Sequence, residues 1–251
     1  MPAIRAIGAL WLRDMRRYLR LRLQVALSLL PPTLFLLVLG FGMDRIFRAS
    51  GEGSYFRFLV PGIVTMTVLY AAAYSAMSLL SDRKLGFTRA LLVAPVPRLG
   101  IVLGQILGMS SAAILQGACI ILVSLLAGYR PVHVGGIALA VVFMVLMAVV
   151  FTSWGLAFGA VLKDASGFQV VITFLIGPLF FFSGALYPLD DLPPLLAVLS
   201  RLDPTAYAVD GLRGALLGQA RFGVWRDGAV LLLLVPPSIL LATWRFNRME
   251  T

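Results

Sequence analysis

The chain has 251 residues, of which 60% are hydrophobic and 13% charged, about half the roughly 25% charge of a soluble domain. So few polar side chains cannot cover a water-soluble fold of this size, and the composition excludes one. The net charge of +10 would suggest nucleic acid on a soluble protein; on a chain this apolar it suggests a topology signal and a membrane surface instead, and no nucleic acid is expected as a partner.

The apolar runs are continuous over about 20 residues, which predicts an all-α membrane protein rather than a barrel of alternating strands. Residues 1–22 carry six arginines and lack the apolar core of a signal peptide. Arg13, Arg16, Arg17 and Arg20 share one helix face, and Ile4, Ile7, Trp11, Met15 and Tyr18 share the opposite one. This pattern predicts an amphipathic helix lying in the headgroup layer, its arginines near anionic membrane lipids. Six spans follow, at 23–41, 58–80, 101–128, 135–162, 168–187 and 228–244. Pro31-Pro32, Gly177-Pro178 and Pro236-Pro237 fall inside spans and predict kinks, because proline lacks a backbone donor. Gly100, Gly104 and Gly108 on the third span, and Gly155 and Gly159 on the fourth, are spaced for close helix approach. With the N-terminus inside, 13 of the 21 basic residues lie on the inner side and 8 on the outer side. That bias predicts cytoplasmic N- and C-termini.

The fifth span breaks off in the stretch FFFSGALYPLDDLPPLL, residues 180–196. Pro188, Asp190, Asp191 and Pro193-Pro194 turn the chain, yet residues 192–200 and 205–217 are again apolar. Irregular backbone cannot face lipid, so the segment 188–219 is expected to form two short re-entrant helices sheltered by protein. Asp210 and Arg213, three residues apart on the second of these, are spaced to pair.

Enzymatic chemistry is not visible. No phosphate-binding loop and no nucleophile elbow occurs, and one His, one Cys and two Glu make a metal site difficult to build. From 58 to 80, 101 to 128 and 135 to 162 there is no charged residue, which weighs against an ion-coupled carrier. No catalytic or metal-ligating residue is assigned, and no cofactor is expected on this chain. If the protein moves a substrate, the energy is expected to enter from a cytoplasmic partner.

Two stretches carry a resemblance: SDRKLGFTRALLVAPVPRLGIVLGQILG at 81–108, and FFFSGALYPLDDLPPLLAVLSRLDPTAYAVDGLRGALLG at 180–218. Together with the length, the six spans and the N-terminal helix, they resemble the membrane subunit of ABC-2-type ABC transporters. The resemblance implies a permease, not an enzyme, paired as a dimer with a second permease subunit, most simply itself. It also implies two ATP-binding subunits that hold ATP and Mg. The loop 82–98 is similar to the family's cytoplasmic coupling helix, which assigns ATPase contact to Asp82, Arg83, Lys84, Phe87, Arg89, Leu91 and Leu92. A more acidic run, Gly-Thr-Leu-Glu-like, is common there in the family; Lys84, Phe87 and Arg89 stand in its place here.

The resemblance further implies a substrate path along the first, second and fifth spans, with Phe174, Phe180, Phe181, Phe182 and Ser183 as its candidates on the fifth. It makes Tyr187, Pro188, Asp190, Asp191, Tyr207, Asp210 and Arg213 candidates for an extracellular gate. The expected function is an ATP-driven exporter in the bacterial plasma membrane. Its cargo would be amphiphilic or hydrophobic: a drug, a lipid, a lipid-linked glycan or a polysaccharide. A non-transporting anchor or sensor that recruits a cytoplasmic protein is the alternative.

Overall fold

The computed structural model describes residues 2–49, 53–87, 96–162, 164–189 and 193–249, and all regular structure among them is helical. Six helices are long and apolar enough to cross a membrane: Arg22–Gly42, Tyr55–Lys84, Arg98–Leu126, Gly135–Val161, Ala165–Phe182 and Val224–Asn247. An even number of spans returns the chain termini to one end of the bundle, the terminal end; the opposite one is the distal end.

The second span is the most buried and forms the axis of the bundle. Leu59, Ile63, Val64, Val68 and Leu69 are all fully covered, as expected for a helix that is apolar all round. The third and fourth spans pack on it directly, and the sixth packs on the fourth. The first and fifth spans also lie against the second, but they are far less covered.

Both of these outer spans contain a π-helical turn, at Phe35–Leu39 and at Ile172–Ile176. In the first span Pro31 and Pro32 lie inside the helix without ending it, and the wide turn begins just beyond them. In the fifth span the wide turn runs into Gly177-Pro178. Pro178 has no N–H to offer the carbonyl of Phe174, and its ring crowds that carbonyl; widening the turn relieves both. Such turns are rare and concentrate where helices bend or act.

Several boundaries differ from the sequence expectation. The second span stays helical to Lys84, apart from a break at Tyr74, so Asp82, Arg83 and Lys84 form its last turn rather than the start of a separate loop helix. The fifth ends at Phe182, and the chain turns over 183–189. Tyr187 therefore belongs to a turn and not to a span. The sixth begins at Val224, which places the fully buried Asp227 inside it. Between these two spans lie the short helices Pro194–Leu202 and Pro204–Leu217.

The N-terminal helix, Pro2–Arg20, packs along the third span. Gly104 and Gly108 make this approach possible: a Cβ at Gly104 would meet Leu10 Cβ at 2.9 Å, and one at Gly108 would meet Asp14 Cβ at 2.8 Å. Glycines spaced four apart thus admit the amphipathic helix, not a neighbouring span. At the distal end, Asp203 caps the second short helix by accepting a 2.7 Å hydrogen bond from Thr205 N. Burial pushes the pKa of Asp203 up to about 7, against the opposing effect of that hydrogen bond.

Gly108→Leu is expected to lift the N-terminal helix and lower thermal stability by about 1–3 kcal/mol, the usual cost of overpacking. Gly8→Leu, where a side chain meets open space, is expected to change little, and a thermal-shift series compares the two. For Asp203, the folded chain binds the proton more tightly than the unfolded one. Its stabilising contribution is therefore complete below the usual carboxylate value and declines as pH rises through about 7. Hydrogen-exchange protection of 204–217, corrected for intrinsic rates, should fall between about pH 4 and about pH 7 and level off above that. Asp203→Asn keeps a capping acceptor and should flatten that dependence.

Candidate functional site

At the terminal end, four charged side chains close on one another. Asp82 is only 4% exposed. Arg17 Nη1 donates to Asp82 Oδ1 at 3.2 Å and to Ser78 Oγ at 3.2 Å. Arg13 Nη2 lies 3.0 Å from Asp82 Oδ2, a charge contact rather than an aligned hydrogen bond. Arg13 also grips its neighbour Asp14, with Nε donating at 2.8 Å and Nη2 at 2.6 Å from Oδ1. Burial raises the pKa of Asp14 while the Arg13 guanidinium lowers it. The Arg13 guanidinium carbon lies 4.3 Å from the Phe87 ring centroid, within cation–π range.

Two further contacts fix this unit. Trp11 Nε1 donates to Ser111 Oγ on the third span at 3.1 Å. Arg83 Nη1 donates to Leu162 O at 2.9 Å, where the fourth span ends and its last carbonyls lack helical partners. The end of the second span, the N-terminal helix and the end of the fourth span are thereby held as one unit.

This geometry changes the reading of several residues. Arg13 and Arg17 close on a buried carboxylate, while Arg16, Arg20 and the outer part of Arg17 are exposed. Asp82, Arg83 and Phe87 are engaged within the chain and act as positioning groups. Among the described residues, Lys84 and Leu85 are exposed at this end, the latter 80% exposed. Arg89, Leu91 and Leu92 lie outside the described residues.

The fifth span presents Phe174, 76% exposed, and Phe181 on one stripe. Phe182 is half-buried. Phe180 and Ser183 turn inward instead: Phe180 packs edge-on against Tyr70, and Ser183 donates to Phe180 O at 2.6 Å. A uniformly apolar helix carries no periodic mark of its inner face, so the sequence could not sort these residues. On the first span, Leu23, Leu27, Leu30, Leu34, Val38 and Phe41 leave another apolar stripe uncovered.

The distal turn is clipped to the second span. Tyr55 Oη donates to Leu186 O at 2.8 Å, and Gly62 lies against the Ala185 carbonyl, leaving no room for a side chain. Arg213 donates to Gly184 O at 3.0 Å and stacks 4.1 Å above the Phe58 ring. Asp210 is not paired with Arg213 as its spacing suggested. Its two oxygens accept from Arg221 N at 2.9 Å and Phe222 N at 2.7 Å. Tyr207 donates to Arg201 O at 2.7 Å, and its ring lies 5.2 Å from that of Phe222. Tyr187 donates to Phe181 O at 2.7 Å, tying the turn back to the fifth span, and Pro188 beside it is half-buried. Asp190 and Asp191 lie outside the described residues.

One feature escaped the sequence reading. A cavity of about 750 Å³ opens between the N-terminal helix and the first three spans, with Tyr18, Ser28, Pro32, Met66, Tyr70 and Gln116 among its walls. Its only sequence signal is the glycine spacing that seats the N-terminal helix.

Comparison with known proteins agrees with this architecture. The family model described as ABC-2 type transporter matches residues 5–217. The inner membrane transport permease YadH of Escherichia coli K12 is 31% identical over 218 residues, covering 85% of this chain and 83% of the relative. Nodulation protein J of Rhizobium leguminosarum bv. viciae is 26% identical over 243 residues, covering 96% and 93%. The putative transport permease ycf38 of Porphyra purpurea is 32% identical over 161 residues, covering 64% and 55%. With a match across most of its length and six apolar helices, the chain is a multi-pass membrane protein that belongs to the ABC-2 type transporter family.

Proposed function

We propose that the chain is the permease subunit of an ATP-driven exporter of amphiphilic or hydrophobic substrates. The observation that carries this reading is the charged cluster around Asp82. It binds the end of the second span to the N-terminal helix, so that force applied at Lys84 and Leu85 reaches several spans together. An ATP-binding subunit docked at this tip, on the cytoplasmic side, would hold ATP and Mg and perform the hydrolysis. Two permease subunits and two ATP-binding subunits complete the transporter. The uncovered stripes of the first and fifth spans support a second copy of this chain as the membrane partner.

In this reading the termini are cytoplasmic and the membrane is the bacterial plasma membrane. The path runs beside the second span, between the two outer spans, with Phe174 and Phe181 exposed along it. The wide turns at Phe35–Leu39 and Ile172–Ile176 give those two spans a place to bend. The clipped turn at 183–189, with Arg213 holding Gly184, serves as the extracellular closure. The short helices Pro194–Leu202 and Pro204–Leu217 re-enter the membrane behind it. A drug, a lipid and a lipid-linked glycan all fit such an apolar, aromatic-bearing route.

Leu85→Asp combined with Leu91→Asp and Leu92→Asp is expected to abolish co-purification of an ATP-binding subunit while membrane insertion is retained. Affinity purification from the native membrane, with quantification of nucleotide-binding partners, measures this. Repeated purification of the parent chain without such a partner would favour an anchor or sensor over an exporter.

A further inference from the structure

The cavity beside the N-terminal helix has polar and apolar walls. Along the second span its lining runs from Ser81 and Ser78, where Arg17 lies, to Thr67 and Met66. Pro31 and Pro32 of the first span add an apolar wall, and Ser28 and Gln116, bonded to each other at 3.3 Å, a polar one. Along the second span, the distance from Ser81 to Met66 is about 22 Å at 1.5 Å per residue. That is about half of the roughly 40–45 Å bilayer with its headgroups, the depth of a single leaflet. A volume of about 750 Å³ falls within the roughly 300–1,000 Å³ of small-molecule sites. The cavity lies within one chain and needs no second copy to form.

Two charged residues line it, Asp14 and Arg17, and they are presented differently. Asp14 is 8% exposed; its Oδ1 is held by Arg13, and its Oδ2 is buried near Gly108. Arg17 has a side chain 43% exposed, and its contacts to Ser78 and Asp82 both use Nη1. A ligand entering the cavity therefore meets a cation. Arg16, Arg20 and Arg22 are exposed nearby, and no acidic residue occurs between Asp14 and Asp44. Burial pushes the Tyr18 hydroxyl up to about 12, and it bonds the Gln116 side chain across the cavity wall.

We propose that this cavity binds one phosphate-bearing amphiphile, its phosphate at Arg17 and its chain between Pro31-Pro32 and Met66. The guanidinium retains donors suited to phosphate oxygens, and Pro31, Pro32 and Met66 give the chain an apolar wall. The phosphate can belong to a membrane phospholipid or to a single-chain amphiphile. The inference relies on the export reading only for the leaflet that the site faces.

The test is native mass spectrometry of the purified full chain in detergent, with phosphatidylglycerol, phosphatidylcholine and dodecyl phosphate as probes. The parent is expected to retain one phosphatidylglycerol with about tenfold preference over phosphatidylcholine. Arg17→Gln should erase that preference, and Ala112→Trp, which fills the cavity, should remove binding of both anionic probes. Arg16→Gln removes an exposed arginine of the same helix that does not line the cavity, and should keep the preference; it separates a lost ligand contact from a lost surface charge. Retention of phosphatidylglycerol assigns the site to membrane lipid. Retention of dodecyl phosphate alone assigns it to a single-chain phosphate amphiphile, and either result supports the proposal. Equal retention of all three probes by the parent, or an Arg17→Gln chain that keeps the preference, would overturn it. None of these measurements involves an ATP-binding subunit, so failure to find that partner leaves the result unaffected.

Discussion

A single carboxylate, Asp82, organises the terminal end of this protein. It is buried in the last turn of the most buried span, and two arginines of the N-terminal helix close on it. Such a carboxylate tolerates burial only when paired. Hydrogen bonds to charged groups contribute about 1.5–3 kcal/mol each, added to the packing of the N-terminal helix along the third span. Gly104 and Gly108 let that helix come close enough to reach Asp82, and Trp11 fixes its position along the third span. The pairing therefore depends on packing, and the packing on the pairing.

From this anchor the rest of the bundle divides into fixed and movable parts. The second, third and fourth spans form a covered core, and Arg83 ties the second to the end of the fourth. The first and fifth spans lie against the second with an uncovered face and a wide turn each. At the distal end, Tyr55, Gly62 and Arg213 fasten the 183–189 turn to the same central span. One helix thus carries the contact points for both ends of the molecule.

Much of this frame was legible in the sequence, because hydropathy and charge bias report directly on what lipid tolerates. The six spans, the amphipathic N-terminal helix and the interruption between the fifth and sixth spans all came from such patterns, though the fifth span ends at Phe182 rather than at 187. What remained hidden were partners far apart in sequence. The arginine face of residues 13–20 reads the same whether it meets headgroups or a buried Asp82. The spacing of Asp210 and Arg213 suggests a pair, yet backbone N–H groups at Arg221 and Phe222 take both oxygens of Asp210. In the apolar run 172–182, nothing distinguishes the inward Phe180 from the exposed Phe174. The glycines at 104 and 108 announced a close approach without naming the helix that makes it.

The account depends most directly on whether Asp82 holds the N-terminal helix in place. Spin labels at Arg16 and Lys84, both exposed, on a chain carrying Cys119→Ser, report that distance by pulsed electron spin resonance in lipid nanodiscs. One narrow distance distribution is predicted, broadening when Asp82→Asn is added. A broad distribution in the parent, or an unchanged narrow one after Asp82→Asn, would contradict it.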